Sequence, residues 1–128
     1  MWKKSLLLLP VLVLFVGCAA VGSNISAQRQ VRNPENLYPV EVKFDSRQQS
    51  LRWETIKAYV IVGKESYEMR KIHLMNNRWE ALIPIPANVN TIAYHYKFDY
   101  LYNDFGGPKQ GSASTRTYAL EIVEQKAD

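Results

Sequence analysis

Hydrophobic and polar positions alternate along most of the chain after residue 36. Tyr38, Val40, Val42 and Phe44 alternate with Pro39, Glu41 and Lys43, which predicts a strand over Leu37–Phe44 with one buried face. Pro39 suits a strand end or an edge. Leu51 and Trp53 alternate with Arg52 and Glu54, consistent with a short strand or a helical turn after the polar stretch 46–50. Ala58–Gly63 is a continuous apolar run that reads as a central strand, closed by a turn at Gly63–Ser66. Tyr67–Leu74 is a further strand-length segment. Asn76-Asn77 is a turn signal before Arg78–Ile85, which places Trp79, Ala81, Ile83 and Ile85 on one face. The strongest pattern is Thr91–Tyr102: Ile92, Tyr94, Tyr96, Phe98 and Tyr100 face one way, and Ala93, His95, Lys97 and Asp99 the other. Asn103–Ser114 is rich in Gly, Asn, Asp, Pro and Ser and reads as a long loop. Thr115–Val123 closes the chain as a strand, with Arg116, Tyr118, Leu120 and Ile122 on one face.

No long stretch carries a helical period. Six or seven short strands separated by regular turn signals predict an all-β, immunoglobulin-like antiparallel β-sandwich; an up-and-down barrel is the alternative. Ala19–Asn36 is small and polar and reads as a flexible tether. Within it, Asn24-Ile25-Ser26 matches a glycosylation sequon, a short and unspecific signal. The expected organisation is a signal segment over 1–17, a lipid-bearing cysteine and tether over 18–36, a sandwich over 37–124 and a tail over 125–128.

The first 18 residues differ from everything after them. Lys3 and Lys4 precede an apolar run, Leu6–Val16, that Gly17 and Cys18 close. At about 1.5 Å per residue this run reaches roughly half of a hydrocarbon core about 30 Å thick, and it contains Pro10. It therefore reads as an export signal rather than a membrane span. Phe15-Val16-Gly17-Cys18 resembles the lipobox of bacterial lipoproteins. That resemblance implies cleavage before Cys18, a diacylglycerol thioether on its sulfur and acylation, commonly with palmitate, of the new amine. Two or more acyl chains anchor firmly where one binds marginally. Ala19, rather than Asp, follows the cysteine, which in that family implies sorting to the outer membrane, facing the periplasm or the outside.

Composition adjusts this picture in three places. The chain has 16 basic and 12 acidic residues; without Lys3 and Lys4 the balance is 14 against 12, too even for the basic stripe of a nucleic-acid binder. Cys18 is the only cysteine, so no internal disulfide can form and the domain must rest on its core. Eight Tyr and three Trp favour strands, and would also serve a surface that binds a flat or sugary ligand.

One further resemblance appears within Val60–Tyr102. Val60-Ile61-Val62-Gly63, Arg70-Lys71-Ile72-His73-Leu74, Asn77–Pro86 and Tyr94-His95-Tyr96-Lys97-Phe98-Asp99 follow the order of pieces in the early-set immunoglobulin-like modules, which include glycogen- and starch-binding modules. The resemblance implies a sandwich. It also implies a glycan surface in which Lys97 hydrogen-bonds sugar hydroxyls, Tyr67 stands nearest the first stacking aromatic, and Tyr102 and Phe105 fall near the second.

Catalytic patterns are sparse. His73 and His95 lack the spacing of a metal set, and no nucleophile elbow occurs. Asp99 and Asp104 bracket an aromatic run and are the one pair that invites comparison with a glycosidase. No catalytic activity, metal or cofactor is expected. Two functions remain: a lipid-anchored interaction or structural module that uses its edge strands or the Asn103–Ser114 segment to meet a protein partner, and a lipid-anchored glycan-binding module that uses Tyr67, Lys97, Tyr102 and Phe105.

Overall fold

The computed structural model describes residues 20–125, so Cys18 and the apolar run before it lie outside the described residues. Ten strands follow one another: β1 (Ala20–Asn24), β2 (Arg29–Val31), β3 (Leu37–Ser46), β4 (Leu51–Val62), β5 (Glu65–Glu68), β6 (Arg70–Lys71), β7 (Arg78–Pro84), β8 (Thr91–Asp104), β9 (Gly107–Ser114) and β10 (Tyr118–Val123). They form two separate sheets. One has the order β1-β3-β7-β6; the other has the order β2-β10-β8-β4-β5, with β9 also paired to β8. Every pair is antiparallel except β2 with β10. The chain is therefore a β-sandwich rather than a closed barrel. Its strand order corresponds to the two sheets of an immunoglobulin-type domain, with a short first strand shared between them.

The period-2 faces meet in one core. Tyr38, Val40, Val42 and Phe44 of β3 and Trp79 and Ile83 of β7 are buried against Ala58 and Val60 of β4, Tyr94, Tyr96 and Phe98 of β8, and Leu120 and Ile122 of β10. Phe44 is the aromatic centre: its ring lies 4.5 Å from Phe98, 5.9 Å from Trp53, 6.0 Å from Tyr100 and 6.5 Å from Trp79. Such tilted and edge contacts are favoured by the ring quadrupoles.

Several expectations change. The tether does not hold for residues 20–36. β1 pairs with β3 from Ala20↔Ser46 to Asn24↔Val42, and β2 runs parallel to β10. These strands carry no apolar alternation because side-chain hydrogen bonds hold the crossing between them. The Asn24 amide donates to the Tyr94 hydroxyl at 2.9 Å, and its Oδ1 accepts from the Tyr96 hydroxyl at 2.6 Å. Ser26 Oγ accepts from the Glu41 amide at 2.6 Å and donates to the Glu41 carbonyl at 3.1 Å. The sequon is thus spent on a latch over two buried tyrosines. Gly22 is required there: a Cβ would sit 2.8 Å from the Phe98 ring and 2.7 Å from Thr115. Burial is the main cause that raises the Tyr96 phenol above its ordinary value; a hydrogen bond with Ser26 opposes it.

Tyr67–Leu74 is not one strand. The chain leaves the second sheet after β5, buries Met69, and joins the first sheet as β6. β4 is longer than expected and bulges between Arg52 and Lys57. Thr55 repairs the bulge: its hydroxyl accepts from the Leu101 amide at 2.9 Å and donates to the Arg52 carbonyl at 2.6 Å. The closing strand begins at Tyr118 rather than Thr115. The Thr115 hydroxyl takes the Tyr96 amide at 3.0 Å, and exposed Arg116 lies over the Tyr118 ring at 4.4 Å. Most consequentially, Asn103–Ser114 is a β-hairpin rather than a loop.

Candidate functional site

The registers bring three connections to one end of the sandwich: residues 47–50 between β3 and β4, residues 72–77 between β6 and β7, and the turn between β8 and β9. Leu51 pairs with Tyr102, and the Asn103 amide donates to the Ser50 carbonyl at 2.9 Å. Beyond that level only β8 and β9 continue. Their ladder runs from Lys97↔Ser114 to Asp104↔Gly107, so the hairpin projects as an arm. The glycine-rich sequence makes this arm possible. Gly111 lies opposite Tyr100, whose ring occupies the place a side chain would take, 2.6 Å from an added Cβ. Gly107 takes φ +114°, which a side chain would strain. Pro108 sits on a strand paired on one side only, where a missing donor is tolerated. At the tip, the Phe105 amide donates to Asp104 Oδ1 at 2.8 Å, and the Phe105 ring is fully exposed at 104 %.

A second apolar feature lies at the same end. Leu74 in the 72–77 turn is 90 % exposed and holds φ +69°, a conformation unfavourable for a bulky side chain. With Trp53, Met75, Lys71 and Asp45 it borders an open groove of about 910 Å³. Leu74 and Phe105 are the two most exposed large hydrophobics among the described residues. The opposite end is tied by polar contacts: the Arg32 guanidinium donates to Glu124 at 2.9 Å, to Asn90 Oδ1 at 2.9 Å and to the carbonyls of Pro86 and Val89.

The structure does not bring the four proposed glycan residues together. Tyr67 lies opposite Val60 on the inner face and packs against the core. Lys97 lies opposite Tyr59 on the outer face, 3.7 Å from Asp99. Tyr102 is six residues beyond Tyr96 on β8, so it stands about 20 Å along the sheet from the Val60–Tyr96 level where Tyr67 sits. Lys97 and Tyr102 share β8 but point to opposite faces; Tyr102, opposite Lys109, and Phe105 lie together toward the tip of the arm. Burial, with a smaller effect of neighbouring Tyr102, raises the Tyr100 phenol at the base of the arm.

The carboxylate pair also separates. Asp99 and Asp104 are five strand positions apart, about 16 Å, and point to opposite faces, which exceeds glycosidase spacing. His73 lies in the exposed 72–77 turn and His95 on the outer face of β8. Among the described residues no three His, Cys, Asp or Glu side chains are grouped to hold a metal ion. An open hollow of about 820 Å³ beside the β4 bulge is lined by Glu54, Lys57, Asp99, Gln110 and Ser112, with Thr55 committed to the backbone as above. Sequence reasoning did not single out Leu74, Met75 or Trp53 as surface residues. The available signal was an apolar pair placed directly before the Asn76-Asn77 turn. Comparison with family models and with curated proteins returns no match.

Proposed function

We propose that this chain is a lipid-anchored lipoprotein of the cell envelope whose immunoglobulin-like domain serves as a non-catalytic interaction or structural module. The observation that carries this reading is the N-terminal sequence itself. Two lysines, an apolar run too short to span and a Gly-Cys exit fit an acylated cysteine at position 18 better than any other role for that stretch. The fold supports it in one respect: β1 begins two residues after Cys18, so an acyl chain there would hold a rigid sandwich close to the bilayer. Ala19 after the cysteine favours the outer membrane. The glycan-binding alternative draws on Tyr67, Lys97, Tyr102 and Phe105, which lie on different faces and levels, and is not carried forward.

The test is metabolic labelling with palmitate of the unaltered chain and of Cys18→Ala, followed by membrane fractionation. The unaltered chain should take label and sediment with membranes. Cys18→Ala should take none and leave the membrane fraction. Absence of label in the unaltered chain refutes the reading.

A further inference from the structure

The end of the sandwich from which the anchor emerges is also the end that carries the arm. Ala20 pairs with Ser46, the last residue of β3, so β1 starts beside the 47–50 turn. Cys18 precedes Ala20 by two residues, a reach of at most about 7 Å. Gly22 sits at the level of Phe98, against whose ring it packs. From that level Phe105 is seven strand positions on, about 23 Å, whereas Ala20 is two positions on, about 7 Å. The arm therefore stands about 16 Å beyond Ala20 and still about 9 Å beyond the farthest reach of Cys18. That excess matches the roughly 5–10 Å to which interfacial elements bury apolar groups at the headgroup boundary.

The chemistry of this end agrees with the geometry. Phe105 is fully exposed at the tip, and Leu74 is 90 % exposed on the neighbouring turn. Tyr102 and Lys109 face each other lower on the arm, an aromatic and a flexible cation of the kind that settle at headgroup level. Arg47 and Lys109 are exposed at this end and take part in no ion pair among the described residues, which suits anionic headgroups, while the exposed Asp104 carboxylate beside the tip accepts the Phe105 amide. The outer edge of β9 keeps unpaired backbone groups, so entry stops at the wet interface.

We infer that the loop end is the bilayer-facing surface of the anchored protein. Phe105 at the tip of the arm enters the headgroup layer of the same membrane that holds Cys18, Lys109 on the arm meets anionic lipid, and Leu74 on the shorter 72–77 turn faces the bilayer from behind the tip. This rests on the lipoprotein reading of Cys18. It fixes the orientation of the domain: the Arg32 clamp and the 86–90 loop point away from the membrane.

The test uses the full-length acylated protein carrying Phe105→Cys, Leu74→Cys or, at the opposite end, Ala87→Cys. Each is labelled with an environment-sensitive thiol fluorophore and reconstituted into vesicles of phosphatidylethanolamine and phosphatidylglycerol with brominated acyl chains. The thioether on Cys18 leaves the introduced thiol as the only one to label, so the unaltered protein should take none. The Phe105→Cys probe should emit to the blue of Ala87→Cys and be quenched several-fold more strongly by bromolipid, with Leu74→Cys between the two. If all three probes are equally unquenched on protein that floats with the vesicles, the anchor stands and this inference is overturned. Shielding of the Phe105→Cys probe without bromolipid quenching would place a protein at the tip and overturn it as well. If the unaltered protein takes the fluorophore at Cys18 and fails to float, the lipoprotein reading falls, and the inference with it.

Discussion

Replacement of Asn24 by alanine tests whether residues 20–31 are part of the domain. Asn24 lies in a segment whose composition suggests a tether, yet its side chain makes the contacts that hold the crossing between sheets. Its amide donates to the Tyr94 hydroxyl and its Oδ1 accepts from the Tyr96 hydroxyl and, at 3.3 Å, from the Ser26 amide. Tyr94 is 1 % exposed, and the Asn24 amide is the donor placed at 2.9 Å from its hydroxyl, with the Tyr96 phenol as its other polar neighbour. Asn24→Ala strands that hydroxyl at a cost of about 1–3 kcal/mol. The Tyr96 hydroxyl keeps the Ser26 hydroxyl at 3.2 Å and the Glu41 carbonyl at 3.3 Å, so its loss is closer to about 0.5–1 kcal/mol. The total is about 1.5–4 kcal/mol. The assay is urea unfolding followed by tryptophan fluorescence from Trp53 and Trp79. Tyr94→Phe supplies the second arm of a double-mutant cycle. Once Asn24 is gone, removing the stranded hydroxyl should restore stability, so the double variant should be at least as stable as Asn24→Ala alone. A loss below about 0.5 kcal/mol for Asn24→Ala, the range of unconstrained surface positions, would refute the latch. Strict additivity in the cycle would do the same.

Three further outcomes follow from single features. The folded-state pKa of Tyr96 is raised, so its contribution to stability is complete below the ordinary phenol value near 10 and is lost as pH rises beyond it; urea titrations above that value should show a decline of about 1.4 kcal/mol per pH unit from this group, which Tyr96→Phe reduces while Tyr100 maintains part of it. An unchanged alkaline slope in Tyr96→Phe contradicts the assignment. Gly111→Ala drives a Cβ to 2.6 Å from the Tyr100 ring and should cost about 1–3 kcal/mol, whereas Gly106→Ala, with open space around it, should stay within about 0.5 kcal/mol; equal midpoints for the two would be inconsistent with the packed arm. Leu74→Asn places a residue tolerant of positive φ at +69° and should raise the unfolding free energy by up to about 1 kcal/mol, read as a higher urea midpoint; a fall would mean the leucine makes a compensating contact.

The frame of the sandwich was legible wherever one strand buries one face. Tyr38–Phe44 and Ile92–Tyr100 alternate because each strand has a wet side, and both are strands with those residues inward. What the pattern hid was pairing that needs no apolar face. β9 reads as turn composition, but its order comes from the β8 ladder and from a tyrosine ring that fills the place of the absent Gly111 side chain. β1 and β2 read as tether because Ser23, Asn24, Ser26 and Gln30 are polar; the segment is held by hydroxyl, amide and carbonyl contacts to other strands, β3 and β8. The switch of sheets at Met69 was equally hidden, since a run of strand-like residues carries no mark of which sheet it joins. The candidate site was legible only as a place. Tyr102 and Phe105 are legible as aromatics beside a glycine-rich segment, but Phe105 at a tip, Tyr67 against the core and Lys97 on the outer face depend on register, which alternation alone does not set.

The most direct test of the account is the intact mass of the protein extracted from envelope membranes. A chain that begins at Cys18 and carries the added mass of a diacylglycerol and acyl groups is predicted. A chain that still begins at Met1, or a mature chain whose Cys18 bears no lipid, would contradict it.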